Sequence, residues 1–322
     1  MGHVADGNLT ANTQPDYRWF FYTVFNVIYA FHMPLFMMIS GYVFRSAYGK
    51  SGTVDFGRVK KQIYNLVIVY IFFSIVFVIL KLILSGYTSD VINIKDVLMI
   101  PIIPISPFWY LYLLMFFYLF FSWKKLDSVN CFIVLLILSV LSIVSGLFTT
   151  RYFEISRMLY YALFFYVGIL YKTKKCKIIG NRLLTSVLFI ASIVLFVFFW
   201  NSENDVNKTI NKTFLVNVIA ALGISLTIWY LFENIKFLSN NRFLQFLGKH
   251  SLEIYVIHCI FTAGFRVILP KIGIDNVYIG FVLNTVFSTA IPLLFSVICK
   301  KLNIHGLFFK PVTYIRNLRK EK

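Results

Sequence analysis

The sequence predicts an all-α polytopic membrane protein with about nine transmembrane helices, and three observations lead to this fold class. The chain has 322 residues, of which 59% are hydrophobic. Only 14% are charged, whereas soluble domains carry roughly 25%. The apolar residues are gathered into long runs, and about 20 such residues are enough to cross a bilayer as a helix. The composition therefore excludes an ordinary soluble enzyme.

Nine apolar segments account for the predicted helices. The first contains Pro34, and the residue before a proline avoids the helical region of backbone space. We therefore expect an interfacial helix at residues 17–29 and a separate span at residues 31–48. In chain order, the segments cover residues 19–44, 62–80, 97–123, 128–150, 158–171, 183–202, 213–232, 251–269 and 276–299.

Basic residues predict the topology of these spans. Most of the 31 lysines and arginines lie in alternate connections, which the positive-inside rule places in the cytoplasm together with a basic tail at residues 300–322. This topology explains the net charge of +18, so we predict contact with membrane lipid and no nucleic-acid partner. We treat residues 1–322 as one membrane domain. Because nine crossings leave Met1 outside with no targeting segment before it, we expect that the chain starts one helix late.

Ionisable side chains at membrane depth are costly, so each is a candidate functional residue. His32, Glu253 and His258 are the clearest cases. Structural alternatives remain open for all three: His32 could satisfy backbone groups near Pro34, Glu253 could cap its own helix, and His258 could bond between helices. Glu253 and His258 are five residues apart, about 140° off one helical face, so we do not expect them to pair. The four cysteines show no metal-binding spacing, and we predict no metal site.

Three segments together carry a recognisable pattern. They are FHMPLFMMISGYVFR (residues 31–45), PFWYLYLLMFFYLF (107–120) and FLGKHSLEIYVIH (246–258). In this order they resemble motifs of the acyltransferase 3 family of integral membrane acyltransferases, in its branch near the fucose 4-O-acetylase-like proteins. The family pattern also has a first helix with an arginine about ten residues before a Gly-His pair. Gly2 and His3 match the end of that helix, whereas the helix and its arginine are absent; adding the helix gives ten spans.

The resemblance implies an activity. Such enzymes move an acyl group, usually acetyl, from cytoplasmic acetyl-CoA to a hydroxyl of a cell-surface polysaccharide or lipid-linked glycan, here in a bacterial plasma membrane. His3 and His32 are the expected catalytic residues, facing one cavity, because a neutral imidazole can act as base or nucleophile near pH 7. Two other functions stay open: a polysaccharide exporter or proton-coupled transporter, and an inactive truncated remnant.

The remaining site residues follow from the same resemblance. Trp109 and Tyr110 could stack on a sugar or belong to the aromatic belt of the membrane interface. Three residues are expected to line or support the passage of the acyl group: Glu253, Tyr255 and His258. Three more lie on the expected coenzyme side, where they could attract phosphates or serve as topology markers only: Arg45, Arg58 and Lys61.

Overall fold

The computed structural model describes most of the chain as helices joined by short connections. The residues described are 1–10, 15–50, 53–83, 97–105, 107–123, 129–148, 152–173, 182–200 and 214–318. They belong to two compact units. The first unit comprises Met1–Tyr29, Tyr64–Tyr112 and Arg242–Lys322, and the second comprises Ala30–Ile63 and Leu113–Asn241.

The elements follow the predicted apolar segments closely. The long helices are α2 (Pro15–Tyr48), α3 (Phe56–Ile83), α4 (Trp109–Phe121), α5 (Cys131–Val144), α6 (Ile155–Thr173), α7 (Arg182–Trp200), α8 (Phe214–Asn234), α11 (Ser251–Lys271) and α12 (Val277–Lys301). The short ones are α1 (Gly2–Thr10), α9 (Lys236–Ser239), α10 (Arg242–Lys249), α13 (His305–Phe309) and α14 (Pro311–Leu318). Two strands of two residues each, β1 (Gly49–Lys50) and β2 (Thr53–Val54), form an antiparallel pair.

This architecture confirms the predicted all-α polytopic membrane fold. Within the described ranges, five helices are long and apolar enough to cross a membrane: Tyr17–Ala47, Phe56–Ile83, Tyr152–Thr173, Ser251–Lys271 and Val277–Lys301. Shorter apolar helices occupy Trp109–Phe121, Cys131–Leu147 and Thr185–Val194. The chain is therefore a multi-pass membrane protein.

The predicted break at Pro34 is wrong. Helix α2 runs without interruption from Pro15 to Tyr48 with Pro34 inside it. A proline in a membrane helix removes one backbone hydrogen bond, and packing against neighbouring helices can compensate for that loss. Pro34 is buried, and in the second unit α2 crosses α6 closely, since a Cβ atom on Gly41 would overlap the carbonyl oxygen of Phe165.

Polar side chains join helices inside the first unit. The Asn284 side chain on α12 donates to the Thr262 carbonyl on α11 at 3.1 Å, and Ser288 donates to Asn284 at 2.9 Å. On α1, the Gly7 carbonyl accepts a 2.7 Å hydrogen bond from Arg266 on α11. Hydrogen bonds of this kind hold membrane helices together where the lipid offers no hydrophobic driving force.

The predicted basic tail is folded over most of its length. Lys300 and Lys301 end α12, and helices α13 and α14 follow. Phe309 is 2% exposed and stacks on Phe73 of α3, with ring centroids 5.8 Å apart. The Val312 backbone N–H donates to the Asn65 side chain at 3.0 Å. Residues 305–318 thus pack against α3 within the first unit, and residues 319–322 lie outside the described part.

Candidate active site

Helix α1 places His3 beside His258 of α11, inside the first unit. The centroids of the two imidazole rings are 5.3 Å apart, with the ring planes tilted by 50°. Nδ1 of His3 also lies 3.4 Å from the hydroxyl oxygen of Tyr29 on α2. Two histidines that are 255 positions apart in sequence therefore share one location.

The backbone of α11 fixes the orientation of His258. Its Nδ1 lies 2.9 Å from the carbonyl oxygen of Ile254 and 2.8 Å from that of Tyr255. Because carbonyl oxygens only accept, Nδ1 carries the proton, and in the neutral ring Nε2 holds the lone pair. That Nε2 lies 3.3 Å from Sγ of Cys259, which is 8% exposed. The ring thus presents a basic nitrogen to a thiol.

Cys259 is the site residue that sequence reasoning missed. The spacing of the cysteines predicted no metal site, yet donor atoms of His3, His258 and Cys259 all lie within 4.8 Å of one another. Two imidazole nitrogens and a sulfur are ligands that zinc accepts, and they are also the groups of a nucleophilic site. The expectation of no metal site stays a prediction. The adjacency of His258 and Cys259 was visible in the sequence, but the approach of His3 was not.

Tyr255 connects the histidine pair to the start of α4. Its hydroxyl donates to the Pro107 carbonyl. Its ring meets that of Tyr110 edge to face at 5.2 Å, and it lies 6.3 Å from the His258 ring. The residue predicted for the acyl passage therefore contacts one of the two predicted for sugar binding. Trp109 occupies the first position of α4 and is half-buried.

Glu253 belongs to a different cluster at the N-terminal end of α11. Oε1 of Glu253 lies 2.7 Å from Nε2 of His305 and accepts from Ser296 at 3.3 Å. Nδ1 of His250 lies 2.9 Å from the Ser296 hydroxyl, and the Lys300 ammonium is 3.3 Å from both nitrogens of that ring. Glu253 thus bonds to side chains of α12 and α13, whereas the N-cap of its own helix is His250. It does not pair with His258, as the spacing predicted.

The environment of His250 favours its neutral form. Burial lowers the pKa of His250 below its usual value, the Lys300 charge lowers it further, and Glu253 opposes the shift. His305 and Lys249 add smaller effects in the lowering direction. His250 therefore serves at neutral pH as an uncharged link between Lys300 and Ser296.

The second unit holds the other predicted site residues. His32 lies midway along α2 and is half-buried. Arg45 is 8% exposed in the last turn of the same helix. Arg58 forms a 3.0 Å ion pair with Asp55 in which both side chains are about half exposed, and Lys61 follows on α3. The cavity expected to hold His3 and His32 together stays a prediction, as does the coenzyme side.

A family comparison covers the elements that build this site. The sequence model described as Acyltransferase domain, that of the acyltransferase 3 family, matches residues 1–301. That range includes His3, His258 and Cys259. No curated protein and no solved structure matches the chain. Since the match spans well over half of its length, the chain belongs to the acyltransferase 3 family of membrane acyltransferases.

Proposed function

We propose that the protein is an O-acetyltransferase of a bacterial plasma membrane. It moves an acetyl group from cytoplasmic acetyl-CoA to a hydroxyl of a cell-surface polysaccharide or of its lipid-linked precursor. The observation that carries the proposal is the placement of His3 5.3 Å from His258 within the segment that matches the family. A half-buried pair of imidazoles supplies the proton acceptor that transfer to a hydroxyl requires.

In this mechanism His3 is the base for the acceptor hydroxyl. When Nδ1 of His3 carries its proton and donates to Tyr29, Nε2 is left with the lone pair that can take the hydroxyl proton. The aromatic side chains of Trp109 and Tyr110 offer flat surfaces on which a sugar ring can stack. The Tyr110–Tyr255 contact connects that surface to the imidazoles. Arg45, Arg58 and Lys61 attract the coenzyme phosphates.

Labelled acetyl-CoA supplied to membranes containing the protein tests the function. The wild type should give labelled glycan, and His3→Ala should lower the rate by roughly 100-fold to 10,000-fold, the usual contribution of a general base. Asn8→Ala, one turn further along α1, is the matched control and should keep the wild-type rate. A rate unchanged in His3→Ala would contradict the mechanism.

The transporter alternative gives a different result in the same membranes. A carrier would lose export of glycan to the outer face when His3 is replaced, while acetylation of glycan would not depend on the protein at all. Under our proposal, export continues in His3→Ala and only the acetyl label disappears. Surface glycan and bound acetate are therefore measured side by side.

A further inference from the structure

We propose that Cys259 carries the acyl group as a thioester during transfer, with His258 as its base. The inference rests on the proposed function and adds a covalent step to it. A nucleophilic site is recognised by three features: a nucleophile, a base within hydrogen-bond reach, and a third group that orients the base. Here the nucleophile is Cys259, the base is His258, and the carbonyls of Ile254 and Tyr255 orient that base.

The geometry gives His258 the correct direction for this role. Both carbonyl contacts fall on Nδ1, at 2.9 and 2.8 Å, so the lone pair of the neutral ring is on Nε2. The thiol sulfur is 3.3 Å from that nitrogen. A thiol proton can therefore move to His258 without any change of tautomer.

The position of Cys259 suits a carrier between two faces of the membrane. The residue lies eight positions after Ser251, about 12 Å along α11 from its N-terminal end. It is buried, and a site closed to water protects a thioester from hydrolysis. Donor atoms of Cys259 and His3 lie within 4.8 Å of each other. An acyl group on this sulfur is consequently next to the base that activates the acceptor.

The first half-reaction exchanges one thioester for another. The Cys259 thiol gives its proton to Nε2 of His258, and the sulfur attacks the carbonyl carbon of acetyl-CoA. The bond from that carbon to the coenzyme sulfur breaks, and the coenzyme thiolate takes the proton from His258. The products are acetyl-Cys259 and free coenzyme A, with His258 neutral again.

The second half-reaction transfers the acetyl group to oxygen. The acceptor hydroxyl gives its proton to His3, and the oxygen attacks the thioester carbon on Cys259. The carbon–sulfur bond breaks, and the Cys259 thiolate recovers the proton from His3. An acetyl ester on the glycan and the original thiol result.

The experiment separates the two half-reactions in the full-length protein. Purified protein in lipid nanodiscs is mixed with labelled acetyl-CoA in the absence of acceptor and quenched in acid. We expect release of one coenzyme A per protein and label on the peptide containing Cys259, removable by neutral hydroxylamine. His3→Ala should retain this label because it blocks only the second half-reaction.

Variants of Cys259 and His258 should lose the acetyl label and glycan acetylation. Cys259→Ala should lose both the label and glycan acetylation by at least roughly 100-fold, and His258→Asn should slow labelling to a similar extent. Cys299→Ala is the matched control, since Cys299 is equally buried on α12, and it should behave as wild type. Thermal unfolding of each variant verifies that it is folded. The variant Cys259→Ser nearly keeps the side-chain volume, and it should also fail to release coenzyme A at the wild-type rate.

Three outcomes would contradict a thioester on Cys259. Acetylation of glycan at the wild-type rate in Cys259→Ala would show direct transfer from the coenzyme. Acetyl label on His3 in place of Cys259 would show that the histidine, and not the thiol, carries the acyl group. A bound zinc ion in the wild type that Cys259→Ala loses would assign the cluster to metal binding. If the wild type labels neither Cys259 nor glycan, the proposed function itself fails, which distinguishes that result from the failure of the thioester step alone.

Discussion

Helix α11 carries two histidine clusters whose chemistry differs. Near its N-terminal end, Glu253 is surrounded by His305, Ser296 and His250, which bond to it or lie close to it within the protein. Five residues further along, His258 faces an imidazole and a thiol. The contacts of the first cluster stabilise the folded protein. In the second cluster, Nε2 of His258 keeps a lone pair that can accept a proton. Under our proposal, histidines thus serve structure in one cluster and reactivity in the other.

The largest expected effect is on stability, from Glu253→Gln. Leaving a buried hydrogen-bonding group without its charged partner costs about 1–3 kcal/mol, and the Glu253 and His305 side chains are only 6% and 17% exposed. Thermal unfolding in detergent should show the loss, while labelling of Cys259 below the unfolding temperature should continue. The double variant Glu253→Gln with His305→Gln should recover part of the stability. If Glu253→Gln abolished labelling in a fully folded protein, the two clusters would not be separate in function.

A smaller effect should follow from acidification. The pKa of His250 is lowered by burial and by Lys300, so the unfolded chain binds more protons than the folded one as the pH falls below about 6.5, the usual histidine value. The contribution of His250 to the free energy of unfolding is complete above that pH. It decreases as the pH falls toward the lowered pKa. The groups facing His250 are Lys300, Glu253, His305 and Lys249.

Unfolding measured from pH 7.5 to 5 checks the sign of this dependence. His250→Gln keeps a hydrogen-bonding side chain beside Ser296 but has no proton to gain, so its curve should be flatter than that of the wild type. A steeper curve in His250→Gln would show that another group controls the pH dependence.

The smallest effect concerns the placement of His3. A Cβ atom on Gly7 would meet the tip of the Arg266 side chain, which now donates to the Gly7 carbonyl. Since an arginine tip can move, Gly7→Ala should change stability by less than about 1 kcal/mol. It should nevertheless shift α1 enough to lower glycan acetylation about 10-fold, because small misplacements of a catalytic group are costly.

Gly264→Ala is the control for this change. Gly264 lies on α11, and a Cβ atom there has open space around it. Its acetylation rate should equal that of the wild type. Equal acetylation rates in Gly7→Ala and Gly264→Ala would mean that the contact of α1 with Arg266 does not control the reaction.

Apolar composition was sufficient to predict the helices, because each of the nine apolar segments became one. The break at Pro34 was predicted wrongly since a local rule for the residue before proline ignores the packing of α2. His258 and Glu253 were recognised as candidates from their cost at membrane depth. Cys259 was not, because neighbouring residues on a helix differ by about 100° in direction. Only the bonds from Nδ1 to the preceding turn rotate the His258 ring toward the thiol.

The clusters also show the limit of reading one segment at a time. His305 approaches Glu253 from α13, and His3 reaches His258 from the far end of the chain. Apolar runs predict that a helix is present but not which polar residues meet. The sequence therefore predicts the spans far better than the site.

The Glu253–His305 pair also bears on where this protein can be cut. The family match ends at residue 301, yet the imidazole that balances Glu253 and the Phe309 ring that covers α3 both lie beyond it. An expression fragment trimmed to the matched residues would keep every proposed reacting group and still expose a buried carboxylate. An expression fragment should therefore extend past the C-terminal end of the family match. An affinity tag should be placed after residue 318.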